Sequence, residues 1–112
     1  MSTVGRLTIY ICKGILMKSK RPQAKAKLQI ENERVIITEW SFASGAETGW
    51  HRHAYDYIVV PTLKGNLLME TKEGLNIIEL EEGQSYYRPV GVEHNVVNSN
   101  DYPFSFVEIE LK

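Results

Sequence analysis

Residues 83–98 read GQSYYRPVGVEHNVVN, and this stretch decides the fold prediction. Its spacing is G-x5-P-x-G-x2-H-x3-N, and the fixed positions are Gly83, Pro89, Gly91, His94 and Asn98. Glycine reaches positive φ without steric cost, and proline presets φ for a turn, so the first three favour sharp turns between strands. The histidine that follows offers an imidazole, the commonest protein metal ligand. The stretch therefore predicts a tight connection that leads into a strand carrying a candidate ligand.

A second block lies upstream, at residues 45–65, and reads GAETGWHRHAYDYIVVPTLKG. His51 and His53 are two positions apart in a segment that reads as extended, so both side chains point to the same side. The chain has three histidines, and His94 is the third. All three imidazoles can therefore meet at one point, and we expect them to hold one divalent metal ion.

These two blocks resemble the two signature motifs of the cupin superfamily. Residues 83–98 match the second motif at every fixed position, and residues 45–65 match the first at Gly45, Gly65 and both histidines. The resemblance implies an all-β, antiparallel double-stranded β-helix, the jelly-roll barrel of cupins. Residues 48–61 and 91–112 are also similar to small stand-alone cupins of bacterial β-alanine and polyamine degradation, which implies a small, polar, carboxylate-bearing ligand.

One departure from the family pattern concerns the metal ligands. The first cupin motif has a glutamate four or five residues after its second histidine, where this chain has Tyr57 and Ile58. Strand alternation points Tyr57 to the same side as the histidines and Asp56 to the other side. We expect a three-histidine site completed by water or substrate, with Tyr57, Asp56 or Glu47 as an alternative fourth ligand. Glu47 lies in a predicted loop, so its direction is open.

Three histidines with open positions suit Fe(II), Zn(II), Ni(II), Mn(II) or Cu(II), because imidazole alone discriminates poorly among these ions. The cupin resemblance favours Fe(II), since open cupin sites often activate dioxygen. Zn(II) is the leading alternative, because three protein ligands and a water form its usual catalytic arrangement.

Tyr57, Tyr86 and Arg88 are the candidate catalytic residues. A phenol close to the metal can act as general acid or base. Tyr86 and Arg88 share one face of a predicted strand, where the planar guanidinium could bind a substrate carboxylate. Each tyrosine could instead be an ordinary amphipathic side chain with a buried ring.

The rest of the sequence predicts a series of short strands with turns about every ten residues. This arrangement is typical of an antiparallel sandwich or barrel. The last predicted strand, 104–111, alternates strictly. Phe104, Phe106, Glu108 and Glu110 share one face, and the two carboxylates predict that this face is solvated near the C-terminus.

With 112 residues, the chain fits one compact domain. Residues 1–27 contain seven basic and no acidic side chains, which leaves six basic against all 14 acidic residues in the remainder. Residues 28–112 therefore carry an excess of negative charge, which makes them a poor partner for the phosphate backbone of nucleic acid. We interpret residues 1–27 as a basic leader or an extra N-terminal strand, and residues 28–112 as the barrel.

The apolar run 7–17 is too short to span a bilayer as a helix. Met17 is a plausible native start, so we expect residues 1–16 to be dispensable. Cys12 is the single cysteine and cannot form an internal disulfide, which gives no sign of an oxidising compartment and favours a cytoplasmic location.

These features predict a metal-dependent enzyme, of oxygenase, lyase or isomerase type, that acts on a small carboxylate or amine-derived metabolite. The alternative is a non-catalytic module that senses or carries a small molecule or a metal. Small cupins usually pair through an edge strand, so we expect a homodimer without nucleic-acid or membrane partners.

Overall fold

A computed structural model describes residues 9–12, 15–18 and 20–112 of the chain. Its strands are β1 (Ile9–Cys12), β2 (Ile15–Lys18), β3 (Lys25–Glu31), β4 (Val35–Phe42), β5 (His51–Arg52), β6 (Asp56–Pro61), β7 (Gly65–Thr71), β8 (Gly74–Leu80), β9 (Tyr86–Arg88), β10 (Glu93–Asn98) and β11 (Phe104–Leu111). Strand β11 has the bounds that its alternating residues predict.

Two antiparallel sheets build the body of the fold. One has the strand order β5-β10-β7-β8, and the other has the order β3-β4-β11-β6-β9. The prediction of an all-β antiparallel fold is therefore confirmed. Side chains from the inner faces of both sheets form one core, whose largest fully buried members include Trp40, Phe42, Phe104 and Leu67. Within the described part of the chain, no helical segment has the length and hydropathy that crossing a bilayer requires.

The face of β11 that carries Glu108 and Glu110 is buried, so the prediction of a solvated face was wrong. The alternation is as expected, but Phe104, Phe106 and both glutamates lie on the buried side. Glu108 is 3% exposed and Glu110 is 1% exposed. The physical reason is that this face of β11 packs into the core between the sheets, where Phe104 and Phe106 lie with Leu67 and Met69 of β7. Its inner face therefore stays between the sheets as far as the C-terminus.

Part of the basic N-terminal stretch contacts the sheets. The Ala24 amide donates to the Glu47 carbonyl at 2.8 Å, and the Glu47 amide donates to the Pro22 carbonyl at 2.9 Å. The chain then enters β3 at Lys25, on the edge of the five-stranded sheet. Strands β1 and β2 pair with each other in a separate two-stranded sheet. The boundary between leader and barrel and the dispensability of residues 1–16 stay predictions, and residues 1–8 and the Cys12 side chain lie outside what is described.

Two motif glycines are required for different reasons. Gly91 has φ = 96°, a conformation that favours glycine. It lies in the tight connection between β9 and β10. Gly65 is required by close packing instead, because a Cβ there would lie 2.7 Å from the Phe104 ring. Glycine at position 65 is therefore required for space and not for positive φ.

Candidate metal centre

Three buried histidines come together between the sheets. His51 lies in β5 and pairs in register with His94 of β10, so their side chains are cross-strand neighbours. His53 follows β5 and is buried like His51, while Arg52 between them is exposed. The predicted alternation of the His-x-His pair is confirmed, and it places all three imidazoles in one cluster.

The facing ring nitrogens have the spacing of ligands around a single ion. Nε2 of His53 lies 3.1 Å from Nε2 of His51 and 3.2 Å from Nε2 of His94. Zinc–imidazole bonds of about 2.0–2.1 Å in tetrahedral geometry separate ligand nitrogens by about 3.3–3.4 Å, so the observed spacing is close to that of a coordination shell. The residues therefore fit a metal ion, and the cluster could hold one; imidazole nitrogens alone do not identify which.

The hydrogen bonding of His51 fixes which of its nitrogens is available to a metal. Its Nδ1 lies 2.9 Å from the Gly49 carbonyl oxygen, which can only accept, so Nδ1 carries the proton. The lone pair is then on Nε2, which points at the other two imidazoles. Metal-ligating histidines usually donate their second ring N–H to such a carbonyl or carboxylate.

All three imidazoles are held in the neutral form that ligation requires. Burial lowers the pKa of His53 to about 2, with a further contribution from the charges of His51 and His94. Burial also lowers the pKa of His94 to about 3 and lowers that of His51, which the Gly49 hydrogen bond partly offsets. A cation entering this cluster therefore has no imidazole proton to displace at neutral pH.

A buried polar network supports the Gly49 carbonyl that orients His51. The Asn95 side-chain oxygen accepts from the Gly49 amide at 2.9 Å. The Asn95 amide nitrogen donates to Glu47 Oε1 and to Glu70 Oε1, both at 2.9 Å. Arg21 donates to the same two carboxylates, so a residue of the basic N-terminal stretch belongs to this network.

Neither carboxylate proposed as an alternative fourth ligand joins the histidine cluster. Glu47 is buried, but its carboxylate accepts hydrogen bonds from Asn95 and Arg21. Asp56 faces outward, as alternation predicts, and accepts from the Tyr87 hydroxyl at 2.5 Å and the Val90 amide at 2.7 Å. Among the described residues, the cluster of potential metal ligands consists of the three histidines.

Tyr57 points inward, as strand parity predicts. Its ring stacks on the His53 imidazole, with centroids 3.7 Å apart and planes inclined by 14°. Burial raises the pKa of Tyr57, so its hydroxyl keeps its proton at neutral pH.

Tyr86 and Arg88 lie where a small ligand could approach the histidines. A pocket of about 140 Å³ is lined by Arg88, Tyr86, Tyr57 and His94, among others. The Arg88 guanidinium carbon lies 5.7 Å from the centre of the Tyr86 ring, within the range of a cation–π contact. Burial raises the pKa of Tyr86 to about 12, although Arg88 acts in the opposite direction.

Glu108 is the site residue that sequence reasoning missed. With the three histidines, Tyr57 and Tyr86, it lines an inner cavity of about 10 Å³, close to the minimum that holds one water. Burial, and next the charge of Glu110, raise the pKa of Glu108 to about 8. Its parity with Phe106 was the available signal, but a carboxylate on a strand is normally interpreted as facing solvent.

Comparisons with known proteins agree with the fold. The family model described as Cupin domain matches residues 38–110. The beta-alanine degradation protein BauB of Pseudomonas aeruginosa PAO1 is 54% identical over 94 residues, which cover 84% of this chain and 99% of that protein. The crystal structure of a cupin domain from Bordetella pertussis Tohama I has 58% identity and a TM-score of 0.82, and the match covers 84% of this chain and 98% of that one.

More distant structures share only the fold. A cupin superfamily protein from Desulfitobacterium hafniense DCB-2 has 20% identity and a TM-score of 0.63, with 85% of this chain and 83% of that chain covered.

Proposed function

This chain belongs to the cupin family, and from that membership and its site we propose that it is a mononuclear metal-dependent enzyme. In this proposal it acts on a small carboxylate or amine-derived metabolite by oxygenase, lyase or isomerase chemistry. The observation that carries the proposal is the convergence of three buried, neutral imidazoles beside a pocket that reaches Arg88. His51, His53 and His94 would hold Fe(II) or Zn(II), with Ni(II), Mn(II) or Cu(II) as alternatives. A divalent ion there would supply Lewis acidity or dioxygen activation.

The size and charge of the pocket support a small anionic substrate. Its volume of about 140 Å³ is below the roughly 300–1,000 Å³ of sites for drug-sized ligands. Arg88 can form a bidentate pair with a carboxylate at the pocket wall. The 54% identical relative is named for β-alanine degradation, and β-alanine is a small carboxylate with an amino group.

The protonation states of the tyrosines define their roles in the proposal. Tyr86 has a pKa of about 12, so at neutral pH its hydroxyl can donate a proton or a hydrogen bond but cannot act as a base. Burial also raises the pKa of Tyr57, so its hydroxyl is likewise a donor and not a base at neutral pH. We therefore assign both tyrosines to proton donation toward the bound ligand and Arg88 to its orientation.

The direct test is metal content followed by ligand binding. We expect natively purified protein to contain about one metal ion per chain by elemental analysis, and His53→Ala to contain almost none. Arg52→Ala is the matched control, because it changes the exposed residue between the two histidines and should keep the metal. Metal-loaded protein should bind β-alanine or a related small carboxylate, and Arg88→Ala should weaken that binding. A metal-free natural protein whose ligand binding survives His53→Ala would refute the proposal.

One observation favours the alternative of a non-catalytic metal or small-molecule sensor module. The inner cavity next to the histidines has room for only about one water, and closed sites are typical of structural metals. Co(II)-substituted protein separates the two functions, because azide should change its visible spectrum if a coordination position is open. An unchanged spectrum would favour the sensor.

The proposal also includes a homodimer in the cytoplasm, without nucleic-acid or membrane partners. The single cysteine, which has no internal disulfide partner, fits a reducing compartment.

A further inference from the structure

The histidine cavity contains a carboxyl group that no part of the proposed function uses. Glu108 comes from β11, 14 residues after His94, and faces the cavity between the sheets. Its side chain is 3% exposed, and its Oε1 has no hydrogen-bond partner among the described residues. The nearby indole of Trp40 is a neutral donor that lowers the pKa of Glu108, but burial and Glu110 raise it more. A charged carboxylate in such surroundings is strongly unfavourable unless a positive charge or a donor accompanies it.

The surroundings of Glu108 contain no cation among the described residues. The ionisable groups that share its cavity are the three imidazoles of β5, β10 and the segment after β5, with Tyr57 of β6 and Tyr86 of β9. All of these are neutral at pH 7. Its neighbour on the same face of β11 is Glu110, which adds negative charge. The carboxyl therefore lacks a positive partner that a bound cation would provide.

Glu108 lies outside the cluster of potential metal ligands that the three histidines form. None of the hydrogen bonds among residues 20–112 joins Glu108 to an imidazole, and Glu108 is not part of the ligand cluster. It nevertheless lines the same water-sized space. A charge in this low-dielectric space acts strongly on an ion held by the imidazoles, even without a coordinate bond.

We propose that Glu108 supplies negative charge to a metal centre whose three ligands, His51, His53 and His94, are all neutral. This inference rests on the proposed three-histidine metal site. When a divalent cation enters, the O–H bond of the Glu108 carboxyl breaks and the proton passes to solvent. The carboxylate then partly neutralises the cation, either directly or through one water in the cavity. Glu108 is thus a positioning and charge-balancing residue that acts from the opposite sheet.

Zinc titration of metal-free protein tests this assignment without a substrate. Calorimetry at pH 7 in two buffers of different ionisation enthalpy gives both the affinity and the number of protons released. We expect the natural protein to release close to one proton more per zinc than Glu108→Gln does. Zinc affinity should fall about 10-fold or more in Glu108→Gln, as for other groups that support metal ligands from outside the coordination shell.

Glu110→Gln is the matched control. Glu110 is also buried and lies on the same face of β11, but it lines a different pocket, with Ile36 and Thr38. Because Glu110 does not line the histidine cavity, removing its charge should leave zinc affinity nearly unchanged, whereas Glu108→Gln should lower it. Equal losses of affinity in both variants would show a general packing effect and would overturn the assignment.

An infrared measurement on the natural protein tests the same inference and does not require the variants to fold. The carbonyl stretch of a protonated carboxylic acid should disappear when zinc is added, and the carboxylate bands should grow. If natural protein and Glu108→Gln have the same affinity and proton count, the inference fails and the histidine site stands. If the natural protein binds no zinc, the proposed function fails with it.

Discussion

The phenol ring of Tyr57 stacks on the imidazole of His53, with centroids 3.7 Å apart and ring planes inclined by 14°. Tyr57 is 3% exposed, so it forms one wall of the histidine site and part of the core at the same time. Its hydroxyl and its ring can therefore be tested separately.

Tyr57→Ala should lower the free energy of unfolding by about 3–5 kcal/mol, the usual cost of removing a buried aromatic ring. It should also weaken metal binding, because His53 loses the surface that fixes its plane. Tyr57→Phe keeps the ring, so unfolding and metal affinity should change by less than about 1 kcal/mol. Urea denaturation and zinc calorimetry measure the two effects. Equal metal affinity in all three proteins would show that the stacking does not orient His53.

Asn95→Ala should weaken metal binding about 10-fold or more, because the hydrogen bond that holds the Gly49 peptide is lost and the Gly49 carbonyl orients His51. The control is Asn98→Ala, three residues further along the same strand, β10. Asn98 is also buried, but its amide donates to the carbonyls of Ala43 and Tyr102 in the loops.

We expect Asn98→Ala to reduce the free energy of unfolding by about 1–3 kcal/mol and to leave zinc affinity unchanged in the folded protein. Zinc calorimetry and urea denaturation of both variants provide the comparison. If Asn98→Ala weakens metal binding as much as Asn95→Ala, the two effects come from general loosening.

The stability of the metal-free protein should depend on pH through Glu108. Burial and the Glu110 charge raise its pKa from 4.5 to about 8, so between these values the folded state binds more protons than the unfolded state. The Glu108 contribution therefore favours folding most below pH 4.5, and it declines as pH rises to 8, by about 1.4 kcal/mol per pH unit.

Glu108→Gln removes this slope. The difference in free energy of unfolding, variant minus natural protein, should therefore increase from pH 5 to pH 8 in urea denaturation. A difference that stays constant over this range would show that Glu108 ionises normally in the folded protein.

The edge strand β3 exposes two large apolar side chains, Leu28 at 57% and Ile30 at 50%. An apolar edge of this kind is a site for pairing with a second copy. If β3 forms the proposed homodimer, Leu28→Lys with Ile30→Lys should convert the dimer to a monomer, as measured by size-exclusion chromatography with light scattering.

Leu75 and Ile77 provide the control on β8, the edge of the other sheet, where they are 71% and 61% exposed. Lysine at both of these positions should leave the dimer intact. A natural protein that is already monomeric would disprove the homodimer, and dissociation by the β8 variant alone would place the interface on the other sheet.

The sequence by itself determined the all-β class, most strand positions and the three converging histidines, for local physical reasons. Side chains two apart on a strand share a side, which brought His51 and His53 together and turned Tyr57 inward and Asp56 outward. The spacing of the glycines, the proline and the histidine in residues 83–98 predicted the tight connection and the strand that carries His94.

Only the tertiary structure decided which partners meet across the sheets. The sequence periodicity placed Glu108 and Glu110 on one face of β11, but this face is buried because it packs toward the other sheet, with Phe104 and Phe106 in the core. In the same way, Arg21, Glu47, Glu70 and Asn95 are far apart along the chain and meet only because the strands fold over one another. Alternation along a strand is a local property of the backbone, whereas burial is a property of what packs against it.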